Sequence, residues 1–101
     1  MPPSEASAPR QRLDKWLWTA RVVKTRESAA QLVEQGHVRI NGQKTWKPGH
    51  GLKAGDVLTI VLNSRVRVLR ITGFAERRGT AEHALGLYSA AGMSATEGGT
   101  P

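Results

Sequence analysis

Between Arg10 and Arg26 the chain carries six cations, Arg10, Arg12, Lys15, Arg21, Lys24 and Arg26, against the single acid Asp14. Guanidinium and ammonium groups hold phosphate oxygens by charge-assisted hydrogen bonds, arginine as a planar fork and lysine as a point charge. A solvated helix face usually interleaves both signs, so a stretch of nearly one sign points to a polyanionic partner. Lys24, Thr25 and Arg26 sharpen this, because they surround a predicted helix start whose free N–H groups and dipole already favour an anion. Thr25 also reads as an ordinary helix cap, whereas two flanking cations are not needed for capping. Further along, His37, Arg39 and Asn41 alternate with Val38 and Ile40. If the valine and isoleucine face the core, the three polar groups share the other side of a strand and can reach a phosphate, a sugar hydroxyl or a base edge. Asn41-Gly42 is mainly a turn signal.

No comparable set of residues reads as a catalyst. His37, His50 and His83 are far apart without metal-ligand spacing, and no glycine-rich phosphate loop is present. Asp14 reads as a helix-surface acid and Asp56 as a turn residue. Nucleophile, base and oxyanion support cannot be assembled. The expectation is a binding protein with no enzymatic activity, no cofactor and no metal. Trp16 belongs to the core, while Trp18 and Trp46 fall off the apolar pattern and could stack on a base or pack under a loop.

The elements that position these groups follow from periodicity. Leu13, Trp16, Leu17 and Ala20 recur on one helical face and turn Arg12, Lys15 and Thr19 to the opposite one. Thr25 followed by Glu27 starts a second helix with Ala29, Leu32 and Val33 inward, and Gly36 ends it. The stretch 37–40 is a strand closed by Asn41-Gly42. The polar stretch 43–53 reads as turns, 57–62 as a buried strand, Asn63-Ser64 as a turn and 65–71 as a third strand. Thr80 caps a short last helix through Tyr88. The fold class is α+β: two N-terminal helices packed on a small, mostly antiparallel sheet, then a short C-terminal helix. Residues 1–11 and 89–101 read as disordered tails around one domain over 12–88.

The 101 residues allow one domain, and 15 Lys plus Arg against 8 Asp plus Glu give a net charge of +7. Cysteine is absent, which excludes disulfides and thiolate chemistry and fits a reducing cytoplasm. No run approaches membrane-spanning length, so no membrane partner is expected.

Arg12-Leu13-Asp14-Lys15-Trp16-Leu17, then Lys24-Thr25-Arg26, then Gln35-Gly36-His37-Val38-Arg39-Ile40-Asn41-Gly42 resemble, in order and spacing, the S4-type RNA-binding domain. The likeness covers a core motif over 12–60. It implies an RNA surface made by the helix pair and the following strand, with Arg12, Lys15, Arg21, Lys24, Thr25, Arg26, Gln31, His37, Arg39, Asn41, Gly42 and Lys44 as its contacts. Through Trp18, Gly42-Gln43-Lys44 and the late segments Glu76-Arg77-Arg78, Ala81-Glu82 and Leu87-Tyr88, the chain further resembles the family of ribosome-associated heat-shock proteins of fifteen kilodaltons. That resemblance implies binding to ribosomal RNA, and to transfer RNA as a further candidate, on the large ribosomal subunit; the protein is expected to be a cytoplasmic monomer. The resemblance also implies a role in recycling subunits that still carry a nascent chain. In place of the long basic C-terminal helix common in that family, the sequence after Tyr88 is a Gly/Ser/Ala-rich stretch without Lys or Arg, its one charged residue being Glu97. Two alternatives stay open: an accessory RNA-binding subunit of an RNA-modifying enzyme, with a partner surface around 57–71, and a small DNA-binding regulator, for which helix-turn-helix punctuation is missing. DNA binding is expected only as an in vitro activity.

Overall fold

An amphipathic helix with Leu13, Trp16 and Leu17 on one face must have that face covered. In the computed structural model, which describes residues 11–91, a second helix and one side of a sheet cover it. A two-residue strand β1 (Gln11–Arg12) leads into α1 (Leu13–Thr19), and α2 (Arg26–Glu34) follows. The next strands are β2 (Val38–Ile40), β3 (Gln43–Thr45), β4 (Gly51–Leu52), β5 (Val57–Leu62) and β6 (Arg65–Ile71). A one-turn helix α3 (Ala81–Ala84), a 3-10 turn (Leu85–Leu87) and β7 (Tyr88–Ala90) come last. Five strands make an antiparallel sheet in the order β3-β2-β5-β6-β7, and β1 pairs separately with β4. The class is the α+β arrangement that the sequence predicts. No helix among the described residues is long and apolar enough to cross a membrane.

Both helices lie on one side of the sheet. Val38, Ile40, Leu58, Ile60, Leu69 and Ile71 point toward Leu13, Trp16, Leu17, Ala29, Leu32 and Val33 to form the core. The strand over 57–62, expected to be buried throughout, is buried only at Leu58 and Ile60, while Val61 is exposed. A sheet covered by helices on a single side buries every second residue.

Local signals place the turns. Thr25 Oγ1 accepts from the backbone N–H of Ser28 at 2.9 Å, and Gly36 takes φ +80 after α2. Both two-residue hairpin turns use left-handed backbone: Asn41 and Gly42 at φ 51 and 86, Asn63 and Ser64 at 54 and 63. Such turns match the twist of the strands they join. Asn41 does more than turn, since its side chain donates to Asp56 Oδ1 at 3.2 Å and accepts from Val57 N–H at 2.9 Å. The expected structural weight of Asn41-Gly42 has its physical cause there.

Four expectations need correction. The stretch 43–53 holds two short strands besides turns, because the two-residue turn at Asn41-Gly42 folds Gln43–Thr45 back along β2. The last helix stops at Ala84, and Tyr88 adopts extended backbone to join β6, placing its ring 6.3 Å from that of Trp16, edge to face. Thr19 is buried rather than solvent-facing, because the chain around Ala75 and Gly79 runs over that side of α1. Strand pairing also passes the limits of 12 and 88: Gln11 is buried opposite Leu52, and Ser89 and Ala90 pair with Arg70 and Leu69. Residues 1–10 and 92–101 of the predicted tails lie outside the described residues.

Among the described residues, Ser64 is the one hairpin-turn residue at positive φ that is neither Gly nor Asn. Replacing it with Gly removes a Cβ penalty of about 1 kcal/mol and adds unfolded-state entropy of about half that. Ser64→Gly is therefore expected to raise the unfolding free energy by about 0.5 kcal/mol in urea titration, and a loss of stability would contradict the assigned turn geometry.

Candidate nucleic-acid interface

Asp14, expected at the helix surface, is buried with 6% of its area exposed, and two arginines converge on it. Arg12 Nε and Nη2 donate to Oδ1 and Oδ2 at 3.0 and 3.1 Å, and Arg26 Nη2 donates to Oδ1 at 3.3 Å. Burial alone would push the Asp14 carboxyl up. The hydrogen bonds and charge of Arg12, joined by those of Arg26, outweigh it and hold the carboxyl below its ordinary range. The hydrogen bonds to Asp14, then its charge, raise Arg12 in turn. One carboxylate thus fixes two guanidinium groups from the starts of α1 and α2, both of which keep solvent-facing surface.

The loop 46–50 carries this cluster to the sheet. Its backbone carbonyls at His50 and Pro48 accept from the N–H groups of Leu13 and Asp14 at 2.9 and 3.0 Å, which caps α1 where no side chain does. At Gly49 an added Cβ would sit 3.3 Å from Arg12 Nη1, so the guanidinium rests against a residue without a side chain. Beyond the loop, Lys44 is the direct cross-strand partner of Arg39, and both are exposed. Like charges placed opposite each other on a sheet disfavour folding, which makes the pair more useful to an anion than to the fold. Lys44 Nζ stands 5.8 Å from the ring centre of Trp46.

The other predicted contacts are distributed as follows. Lys24 is exposed at the approach to α2 and makes no ion pair or side-chain hydrogen bond among the described residues. Thr25 is the cap described above. Gln31 sits on the exposed face of α2, one turn beyond Glu27. His37 is half-buried, and its carbonyl accepts from Val61 N–H at 2.9 Å. Gly42 serves the turn. Lys15 and Arg21 lie apart from the Asp14 cluster: Lys15 Nζ bonds Glu76 Oε1 at 3.0 Å, and Arg21 Nη1 donates to the Gly79 carbonyl at 2.7 Å. Arg10 falls outside the described residues.

Those last two contacts belong to a strap over residues 73–79 that the sequence did not announce. Gln11 Nε2 donates to Ala75 O, Trp16 Nε1 to Gly73 O, and Arg78 Nε to Trp18 O at 2.9, 3.0 and 3.0 Å. Arg78 Nη2 also reaches Val23 O at 3.4 Å. Arg78 thereby satisfies carbonyls at the end of α1 and in the link to α2. The one available signal was Glu76-Arg77-Arg78 in an otherwise apolar late segment, and sequence spacing cannot say what such a segment covers.

Two helices packed on a sheet, with a hairpin beside them, define the class of protein. A model of the S4 domain matches residues 11–58. A structure described as trimeric heat shock protein 15 from Vibrio cholerae superposes with a TM-score of 0.82 at 36% identity, covering 88% of this chain and 89% of that one. The heat shock protein 15 homolog of Aeromonas salmonicida is 39% identical over 88 residues, 87% of this chain and 66% of the relative, so the chain spans just under two thirds of that relative's length. An RQC P-site tRNA stabilizing factor from Listeria innocua is 37% identical over 65 residues, covering 64% of this chain and 70% of that one. The chain belongs to the heat shock protein 15 family of S4-domain proteins.

Because Asp14 is held below its ordinary value of about 3.9, its ion pairs stabilise the fold fully above that pH, and the contribution fades as pH falls through the lower folded-state value. Asp14→Asn is expected to cost about 1–2 kcal/mol at neutral pH and to remove this acid-side loss. Urea midpoints measured from pH 7 to pH 2 check both; parallel curves for the two proteins would refute the role of Asp14.

Proposed function

We propose that this protein binds structured RNA of the large ribosomal subunit, ribosomal RNA first and transfer RNA next to it, in recycling subunits that still carry a nascent chain. The observation that carries the reading is the basic surface running from Arg26 and Arg12 on Asp14, across the loop 46–50, to Lys44 and Arg39. Guanidinium groups pre-oriented by a shared carboxylate lose little freedom when they meet a phosphate. A helix pair beside a hairpin offers a shape suited to RNA backbone and 2′-hydroxyls, so duplex DNA is expected as a weak competitor. The name of the Listeria relative, a factor stabilising P-site tRNA, supports the ribosomal setting, and a cytoplasmic location goes with this reading. The role is one of binding, without catalysis or cofactor. One copy presents every group of the surface, so a monomer suffices, although the Vibrio relative is described as trimeric.

A second reading, an accessory subunit of an RNA-modifying enzyme, draws on the exposed cross-strand pair Val61 and Val66 on the uncovered side of the sheet. Sedimentation of a lysate separates the two readings. Co-migration with large subunits is expected, and co-migration with an enzyme instead would favour the second.

Lys24→Ala should weaken binding to ribosomal RNA by about 1–2 kcal/mol and lower the slope of log affinity against log salt by about one unit or slightly less. Its melting temperature should stay unchanged, because no partner is lost. Affinity that stays flat between low and high salt would refute the electrostatic basis of the proposal.

A further inference from the structure

Trp46 is 58% exposed on a chain whose other two tryptophans are buried or half-buried. An indole left this open forgoes much of the stabilisation that burial would give it. It is nevertheless held in place. An added Cβ at Gly36 would lie 3.0 Å from Trp46 Nε1 and 3.7 Å from Cδ1, so one edge of the ring rests on a glycine that φ +80 already requires. Lys44 Nζ sits over the ring at 5.8 Å. Trp16 donates its Nε1–H to the Gly73 carbonyl, whereas Trp46 Nε1 makes no hydrogen bond among the described residues. The ring also borders an open groove of about 590 Å³, lined among others by Gln43, Lys44, Lys47 and His50.

A fixed, exposed indole with Lys44 over its ring and a groove beside it that Lys47 also lines has the makings of a stacking platform. We infer that Trp46 stacks on an unpaired nucleobase of RNA, with Lys44 and Lys47 holding the phosphates on either side of it. The inference rests on the RNA-binding reading above and adds to it: the Asp14 cluster and Lys24 read backbone charge, while Trp46 requires a base that is free of its helix. Stacking tolerates any base, so the site selects for unpaired structure rather than for a sequence.

The test uses the full chain and two probes of equal nucleotide count, an RNA hairpin with an unpaired adenine loop and a blunt RNA duplex, titrated by fluorescence anisotropy at several salt concentrations. Stacking on an aromatic ring contributes about 1–3 kcal/mol per base, which is roughly 5- to 150-fold in affinity. Trp46→Ala should lose that factor on the looped hairpin at every salt concentration, leave the salt slope unchanged and scarcely affect the duplex. Lys47→Ala should instead reduce the slope. Trp46→Phe should keep most of the affinity, and Trp46→Leu, which retains apolar cover without a π face, should not. Leu binding like wild type, or equal losses on hairpin and duplex, would overturn the inference even if the Ala variant unfolds. Failure of the unaltered protein to bind either RNA would instead overturn the RNA-binding reading itself, and it is recognised without any variant.

Discussion

A carboxylate withdrawn from water must find cations, and in this protein Asp14 finds two. Taking it out of solvent is costly, and leaving it unpaired would be costlier, so Arg12 and Arg26 are drawn together from chain positions that their mutual repulsion would keep apart. The crossing of α1 and α2 depends on this. So does the seat of the loop 46–50, because Arg12 leans on Gly49 while the N–H group of Asp14 itself is capped by Pro48. The same contact that stabilises the start of the fold holds two solvent-facing guanidinium groups in place. Asp14 neutralises one of the two guanidinium charges and orients both, leaving a net positive cluster that is already ordered.

Behind that surface the strap over 73–79 does opposite work on α1. It consumes Lys15 and Arg21, which the sequence groups with the other cations, and buries Thr19. The positive stretch of the sequence is therefore divided by the fold. Arg12 and Arg26 converge near the hairpin, Lys24 stands at the approach to α2, and Lys15 and Arg21 fasten the late segment. A linear count of cations overstates what one face can present, because side chains on a seven-residue helix point around its full circumference.

The features legible in the sequence were those set by local chemistry. Thr25 caps a helix, Gly36 ends it, Asn41-Gly42 and Asn63-Ser64 turn hairpins, and the apolar period of Leu13, Trp16 and Leu17 marks the buried side of α1. The family likeness over the same stretch anticipated the fold class. What could not be read depended on distant pairings. Asp14 looks like any surface acid until Arg26, twelve residues on, folds back to it. β4 has two residues and no pattern of its own, and it exists because β1 lies beside it. Arg78 meets Trp18 across sixty positions, a separation at which spacing carries no information. Tyr88 continues a helical pattern locally, yet the edge of Trp16 and the open side of β6 draw it into a strand.

The strap also changes what counts as the unit of folding. The match to the S4 domain ends at Leu58, inside β5, before β6, Arg78 and Tyr88 have entered the chain. A polypeptide ending there would leave the Trp16 indole N–H and the Trp18 and Val23 carbonyls without the partners they have here, and it would lack Ile60 and strip Leu58 of its neighbour Leu69 on β6. The recognition motif is thus smaller than the cooperative unit that stabilises it. Local opening of α1 requires release of residues some sixty positions away, so this helix is expected to exchange its amide hydrogens with the slow, global class rather than fraying on its own.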